Sequence, residues 1–174
     1  MKEEMIKGLC ERRSIRSYKK EQITDEELSA VLCAGQFAPT GKNRMPVKFV
    51  AVQQPELLAR LSKWNAEVMG SDNDPFYGAP TAVLVLADSA VPTYVEDGSL
   101  AMGNLMNAAY AAGLGSCWIN RAREMFDSEE GKKLLSDWDI PETFRGIGFC
   151  ILGYAEVELP MASPRRSDQI KIIR

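Results

Sequence analysis

The 174-residue chain contains no histidine. This absence excludes every nucleophilic mechanism in which a histidine activates a serine or a cysteine. It also removes the commonest transition-metal ligand and the usual general base near neutral pH. If the protein is an enzyme, its reactive chemistry must come from elsewhere, and a bound cofactor is the natural source.

The chain also lacks the short motifs that mark several common sites. It has no CxxC pair, so neither a zinc site nor dithiol redox chemistry is supported. It has no GxGxxG between a strand and a helix and no GxxxxGK[ST], which argues against a Rossmann or P-loop nucleotide site. Apolar neighbours predict buried, reduced thiols at all four cysteines. These are Cys10, Cys33, Cys117 and Cys150.

Strong charge and long apolar runs are absent as well. Lys and Arg number 21 against 24 Asp and Glu, and the net charge of −3 argues against a nucleic-acid partner. No apolar run approaches the roughly 20 residues needed to cross a bilayer. The charged N-terminus lacks an apolar signal core, so we expect a cytoplasmic protein that does not associate with membranes. Length and composition predict one domain over residues 1–174.

The apolar pattern predicts helices that alternate with about four strands. Thr24 and Glu27 form a capping box, which predicts the start of the second helix. The predicted helices are 2–10, 25–36, 55–69, 96–112 and 127–138, the last with Asp127 as its N-cap. The predicted strands are 47–52, 81–87, 116–120 and 147–153. This alternation predicts a three-layer α/β (α+β) sandwich, with the strand order left open.

The densest positive charge in the chain follows the first predicted helix. We call it the basic cluster, and it consists of Arg12, Arg13, Ser14 and Arg16. Guanidinium groups make forked, charge-assisted hydrogen bonds to phosphate, and a serine hydroxyl adds a neutral donor. From these residues alone, a solvated helix end that complements the helix dipole is an equally good interpretation.

Five segments, in order along the chain, resemble motifs of the nitroreductase family of FMN-dependent oxidoreductases. They are 11–18 (ERRSIRSY), 38–46 (APTGKNRMP), 76–80 (FYGAP), 113–119 (GLGSCWI), and 152–154 (LGY) followed by 164–166 (PRR). The resemblance spans nearly the whole chain. It implies a mixed, mainly antiparallel sheet flanked by helices, and a homodimer with the flavin at the subunit interface. It also implies that residues 155–174 form a C-terminal arm on the partner, although a tail that folds back on its own subunit stays open.

The resemblance assigns roles to individual residues by their motif positions. The FMN phosphate and ribityl chain would be held by Arg12, Arg13, Ser14, Arg165 and Arg166. Arg16 would reach the N1 and O2 edge of the flavin. The flavin ring would lie between a loop of the partner subunit, residues 39–43, and the third strand. These two segments would contribute Pro39, Thr40, Gly41, Asn43, Trp118, Ile119 and Asn120, the last three with a backbone N–H aimed at N5.

The implied activity is hydride transfer from NADH or NADPH to flavin N5, followed by electron transfer to a nitroaromatic, quinone or similar acceptor. No catalytic side chain and no metal are implied. Two alternatives remain: a flavin-binding sensor or carrier without turnover, and a reduced-flavin enzyme of another reaction type. Met45 and Val47 stand where the family usually has Gln and often an aromatic, so the polarity of the pocket and its substrate stay open. The sequence also leaves open the physiological acceptor and the choice between NADH and NADPH.

Overall fold

The structure, a computed structural model, describes residues 2–174. Its helices are α1 (Lys2–Glu11), α2 (Asp25–Gln36), α3 (Pro55–Met69), α4 (Tyr94–Ala111), α5 (Ala122–Asp127) and α6 (Glu129–Asp137). Its strands are β1 (Val47–Val52), β2 (Thr81–Asp88), β3 (Gly115–Ile119) and β4 (Phe144–Gly153). Within residues 2–174, no helix is both long and apolar enough to span a bilayer.

Local sequence signals explain where the second and third helices begin and end. The capping box of α2 is formed: Glu27 N donates to Thr24 Oγ1 at 3.2 Å, and Thr24 N donates to Glu27 Oε2 at 2.8 Å. Pro55 occupies the first turn of α3, where its missing N–H costs no helical bond. Gly70 ends α3 in the left-handed conformation that glycine adopts without strain.

The four strands form one sheet in the order β1-β2-β4-β3, and every neighbouring pair is antiparallel. An isolated parallel bridge joins Ser14 to Ser116 at the β3 edge. Thr81 to Ala87 is buried throughout, as the continuous apolar run predicts for a strand covered on both faces. The prediction of a mainly antiparallel sheet is confirmed, and the structure supplies the strand order.

Alternate residues of β2 face two separate cores, which gives the three predicted layers. Leu84 and Leu86 belong to the core beneath α3, α5 and α6. Val83 and Val85 belong to the core beneath α2 and α4. Because neighbouring side chains of a strand point to opposite faces, these two cores lie on opposite sides of one sheet.

Three elements begin two or more residues away from the predicted position. The helix predicted over 127–138 corresponds to α6, which begins at Glu129 because Ser128 caps it in place of Asp127. Asp127 instead ends the short helix α5, which the sequence pattern did not predict. Ser128 Oγ accepts from Gly131 N at 3.1 Å, while the Asp127 carboxylate pairs with Arg145. Helix α4 begins at Tyr94, two residues before the start predicted from the sequence. Strand β4 begins at Phe144, because polar Arg145 and two glycines conceal its strand pattern.

Two of the four cysteines contradict the prediction of burial. Cys117 and Cys150 are buried, but Cys10 and Cys33 are exposed. Cys10 lies on α1, where Met5 is 72% exposed and Leu9 is half exposed. Ile6 of the same helix is 66% exposed, so the described chain leaves most of the apolar side of α1 uncovered.

Candidate functional site

The basic cluster lies along the edge strand β3. Ile15 N donates to the Ser116 carbonyl at 3.0 Å, and Ser14 forms the parallel bridge to Ser116. The Ile15 side chain is only 1% exposed and enters the core beneath α3. Tyr18 then pairs with Ala155, which follows β4. The arginines are therefore carried by a backbone segment that the sheet and the core hold in place.

This region gathers most of the unpaired buried polar atoms in the described chain. Among residues 2–174, five buried side-chain nitrogen or oxygen atoms have no hydrogen-bond partner. Four of them are Arg12 Nη1, Arg13 Nε, Ser116 Oγ and Trp118 Nε1. An unpaired buried polar group costs on the order of 1–3 kcal/mol, and more when it is charged. Such a concentration indicates a site for a ligand rich in hydrogen-bond acceptors.

Arg12 and Arg13 are partly buried, and their guanidinium groups differ in their surroundings. Arg13 Nη1 donates to the carbonyls of Cys10 and Arg12, each at 2.7 Å, and so closes the end of α1. Arg12 lies near Cys150: burial raises the pKa of that thiol, and the Arg12 charge opposes the rise. Cys150 pairs with Trp118 across β4 and β3, so Arg12 and Trp118 share one neighbourhood. Within residues 2–174, no carboxylate pairs with either arginine.

Arg16, by contrast, is exposed. It lies close enough to Tyr18 to act on its titration. Burial raises the pKa of the Tyr18 phenol, and the Arg16 charge opposes that rise. The basic cluster therefore divides into two partly buried arginines at β3 and one exposed arginine further along the chain.

Trp118 is fixed by a glycine on the neighbouring strand. It packs against the core beneath α2 and α4. The register of β2 and β4 shifts so that Ile147 is an extra residue on β4, which is a β-bulge beside Gly148. A Cβ at Gly148 would lie 2.4 Å from Trp118 Nε1, so only glycine fits beneath the indole.

The end of β3 is held by a residue that the sequence analysis missed. Asn65 of α3 is fully buried, and its Nδ2 donates to the Asn120 carbonyl at 2.7 Å. Its Oδ1 is the fifth unpaired buried atom. Asn65 continues the apolar spacing of Leu58 and Leu61 on α3, and a polar residue at such a position is the signal that could have found it. Ile119 is buried in the core and Asn120 is exposed.

The 39–43 loop lies far from the basic cluster within one chain. The loop precedes β1. Val47, the first residue of β1, pairs with Ala87 of β2, and Ala87 in turn pairs with Arg145 near the start of β4. The basic cluster instead adjoins Ser116, which pairs with Leu152 at the other end of β4. Val47 and Ser116 are therefore about 14 Å apart across the sheet and about 20 Å apart along it. One chain thus places the two predicted halves of the site at opposite corners.

The C-terminal arm is exposed from Glu156 to its end, with a short 3-10 turn at Ser167–Gln169. Arg166 pairs with Asp168 at 2.5 Å. Within residues 2–174, neither Arg165 nor Arg166 bonds to the basic cluster. Their role in holding the phosphate therefore stays a prediction.

Two cavities lie elsewhere on the molecule. One of about 920 Å³ lies between α3 and residues 71–80. Another of about 800 Å³ lies beside β1 and is lined in part by Thr40, Met45 and Val47. Neither is lined by the basic cluster or by Trp118. Within residues 2–174 there is also no group of three or more cysteine or carboxylate side chains placed to hold a metal ion.

The sequence profile of the nitroreductase family matches residues 9–75. A protein of Archaeoglobus fulgidus, named NADH dehydrogenase/NAD(P)H nitroreductase, is 33% identical over 162 residues, which are 90% of this chain and 88% of that protein. The chain belongs to the nitroreductase family.

Solved structures agree with this assignment. A nitroreductase of Bacteroides fragilis, crystallised with bound FMN, superposes with a TM-score of 0.89 at 29% identity, over 98% of this chain and 99% of its own. An FMN-dependent nitroreductase of Clostridium difficile gives a TM-score of 0.86 at 27% identity, over 99% of this chain and all of its own.

Proposed function

We propose that the protein is an FMN-dependent oxidoreductase that uses NADH or NADPH as its reductant. The observation that carries this proposal is the pair of unpaired, buried guanidinium nitrogens of Arg12 and Arg13 beside β3. The names of the relatives supply the cofactor and the reductant: FMN in the Bacteroides fragilis protein and NAD(P)H in the Archaeoglobus fulgidus protein.

The donor set fits FMN. A phosphate group presents several acceptor oxygens and a negative charge. Two partly buried arginines, each with a buried nitrogen that has no partner, are its natural partners. Ser14 lies next to them on the same backbone segment and adds a hydroxyl donor. Trp118, on the same face of β3 as Ser116, supplies an apolar wall for a flat ring.

When bound, FMN supplies the redox chemistry, accepting a hydride from the nicotinamide and passing electrons to an acceptor, for which we propose a nitroaromatic or a quinone. The chain's own residues bind and orient. Arg12 and Arg13 anchor the phosphate, the glycine beneath Trp118 sets the position of the indole, and Asn65 fixes the end of β3. No side chain has to act as an acid or base, which suits a chain without histidine.

Turnover assays test this proposal against its alternatives. We expect purified protein to contain FMN and to oxidise NADH or NADPH with menadione as acceptor. A flavin that neither nucleotide reduces would favour a sensor or carrier. Rapid reduction without oxidant turnover would favour a different reduced-flavin reaction. We also propose that the protein is cytoplasmic, because the exposed free thiols of Cys10 and Cys33 suit a reducing compartment.

We further propose a homodimer that completes each FMN site with the 39–43 loop of the partner subunit. The loop and the basic cluster occupy opposite corners of the sheet, so one chain does not place both at the same flavin. Most of the apolar side of α1 is uncovered. The arm also exposes large apolar side chains, including Met161 at 94% and Ile173 at 85%. Exposed apolar surface of this kind marks an interaction surface.

Light scattering of the FMN-loaded protein is expected to give twice the mass of one 19.3 kDa chain. The physical reason is burial of the exposed apolar residues of α1 and the arm against a second copy. A single-chain mass with the flavin still bound would show that one chain forms a complete site.

Arg16→Gln is expected to lower the reduction midpoint of the bound flavin. The resemblance assigns Arg16 to the flavin edge that becomes negative on reduction, and the structure leaves its side chain exposed. Removing the charge should weaken binding of reduced FMN more than binding of oxidised FMN. Each tenfold loss in the affinity for reduced FMN relative to oxidised FMN lowers the two-electron midpoint by about 30 mV. A redox titration that gives an unchanged midpoint together with weaker FMN binding would assign Arg16 to the phosphate.

A further inference from the structure

A buried carboxylate lies outside the residues assigned so far. Asp97, in the first turn of α4, is only 2% exposed. Its Oδ1 accepts from Gly41 N at 2.9 Å, and its Oδ2 accepts from Thr93 Oγ1 at 2.9 Å. Within residues 2–174, no cation pairs with it. Burial of a carboxylate is costly unless hydrogen bonds satisfy it, so these two bonds hold Asp97 and its partners together.

One partner of Asp97 is the backbone of the 39–43 loop. The contact is close, because a Cβ at Gly41 would lie 2.4 Å from Thr93 Oγ1. A second bond, from Met45 N to Thr40 Oγ1 at 3.1 Å, closes the loop on itself. The neighbouring Lys42 has a φ of 55°, in the left-handed region that non-glycine residues rarely adopt. Such a conformation persists only where its surroundings enforce it, and the Asp97–Gly41 bond does so together with the 3.0 Å bond from Asn43 N to the Thr40 carbonyl.

We infer that Asp97 is a positioning residue, which holds the 39–43 loop in the shape that closes the FMN site of the partner subunit. This inference rests on the proposed function. Asp97 acts through Gly41 and does not itself touch the cofactor. Its loss should therefore accelerate FMN release from the neighbouring subunit's site, while the basic cluster of its own chain stays intact.

The homodimeric variant Asp97→Ala is expected to release FMN about tenfold faster, in line with a lost hydrogen bond to a charged group. Asp97→Asn is the matched conservative variant. Its Oδ1 can accept from Gly41 N and its Nδ2 can donate to Thr93 Oγ1, so we expect release close to the parent rate. Gly41→Ala pushes the loop away from Thr93 and should also release FMN faster, which keeps the test available if Asp97→Ala does not fold.

Mixed dimers of an Asp97→Ala subunit and an Arg12→Ala subunit, isolated with two different tags, decide which site the loop serves. If the loop closes the partner's site, one site carries both defects and the other carries none. The mixed dimer then keeps one FMN with the parent release rate. If the loop acts within its own chain, each site carries one defect and no FMN is held at the parent rate, which would overturn the inference.

The homodimer measurements separate this inference from the proposed function. A parent protein that binds no FMN would overturn both. A parent protein that binds FMN, with parental release rates in both Asp97→Ala and Gly41→Ala, would overturn the positioning role alone. If Asp97→Ala lowers the unfolding midpoint of the apoprotein but does not accelerate FMN release, Asp97 contributes to stability only.

Discussion

Replacing Arg12 with alanine is expected to weaken FMN binding by roughly one to two orders of magnitude, because a charge-assisted hydrogen bond contributes on the order of 1.5–3 kcal/mol. Arg12 Nη1 is buried without a partner in the described chain, so its hydrogen bond is available to the phosphate. Fluorescence titration of the apoprotein with FMN measures the effect. The same titration with riboflavin, which lacks the phosphate, should show weak binding to the parent and little further loss in the variant.

Arg60→Ala is the matched control for Arg12→Ala. Arg60 is exposed on α3, where it pairs with Glu130 at 2.7 Å, far in sequence from the basic cluster. Its removal should leave the FMN affinity unchanged, since exposed ion pairs contribute little. Equal FMN affinity in Arg12→Ala and the parent protein would remove Arg12 from the phosphate site, and equal affinity of the parent for FMN and riboflavin would remove the phosphate site altogether.

Gly148→Ala is expected to lower the free energy of unfolding by about 1–3 kcal/mol and to weaken FMN binding as well. The added methyl group would lie 2.4 Å from Trp118 Nε1 and 3.1 Å from the Ile119 carbonyl, so the indole must move. Because Trp118 is the proposed wall of the ring site, its displacement changes the surface on which the flavin rests. Chemical denaturation and FMN titration measure the two effects.

Gly103→Ala on α4 is the control for Gly148→Ala. A Cβ at Gly103 meets nothing within 4 Å, so the substitution should raise stability by roughly 0.5–1 kcal/mol through helix propensity and leave FMN binding unchanged. A Gly148→Ala protein as stable as the parent, with parental FMN affinity, would show that the site tolerates movement of Trp118.

Much of the fold could be predicted because local signals were strong. The capping box at Thr24, the first-turn proline at Pro55 and the buried run that begins at Thr81 each fixed an element within a residue or two. The strand order could not be predicted, since periodicity states which face is buried and not which strand is adjacent. Strand β4 was predicted too short, because a bulge and polar Arg145 interrupt its apolar pattern.

Only part of the candidate site could be predicted, because contacts between residues far apart in the sequence assemble it. The basic cluster and Trp118 are joined by the pairing of Ser14 with Ser116, which no sequence pattern shows. Asn65 and Asp97 were missed, because a lone polar residue on a helix acquires meaning only when its buried partner is known. The resemblance assigned the 39–43 loop to the flavin site of the partner subunit, and that assignment stays a prediction.

We expect bound FMN to take electrons from a nicotinamide nucleotide and to give them to a small acceptor. Both steps can be followed by anaerobic titration of the FMN-loaded protein with NADH and with NADPH, followed by menadione. We predict that one or both nucleotides bleach the flavin absorbance in proportion to the FMN present and that menadione restores it. A flavin that remains oxidised with both nucleotides, in protein that binds FMN tightly, would contradict the claim.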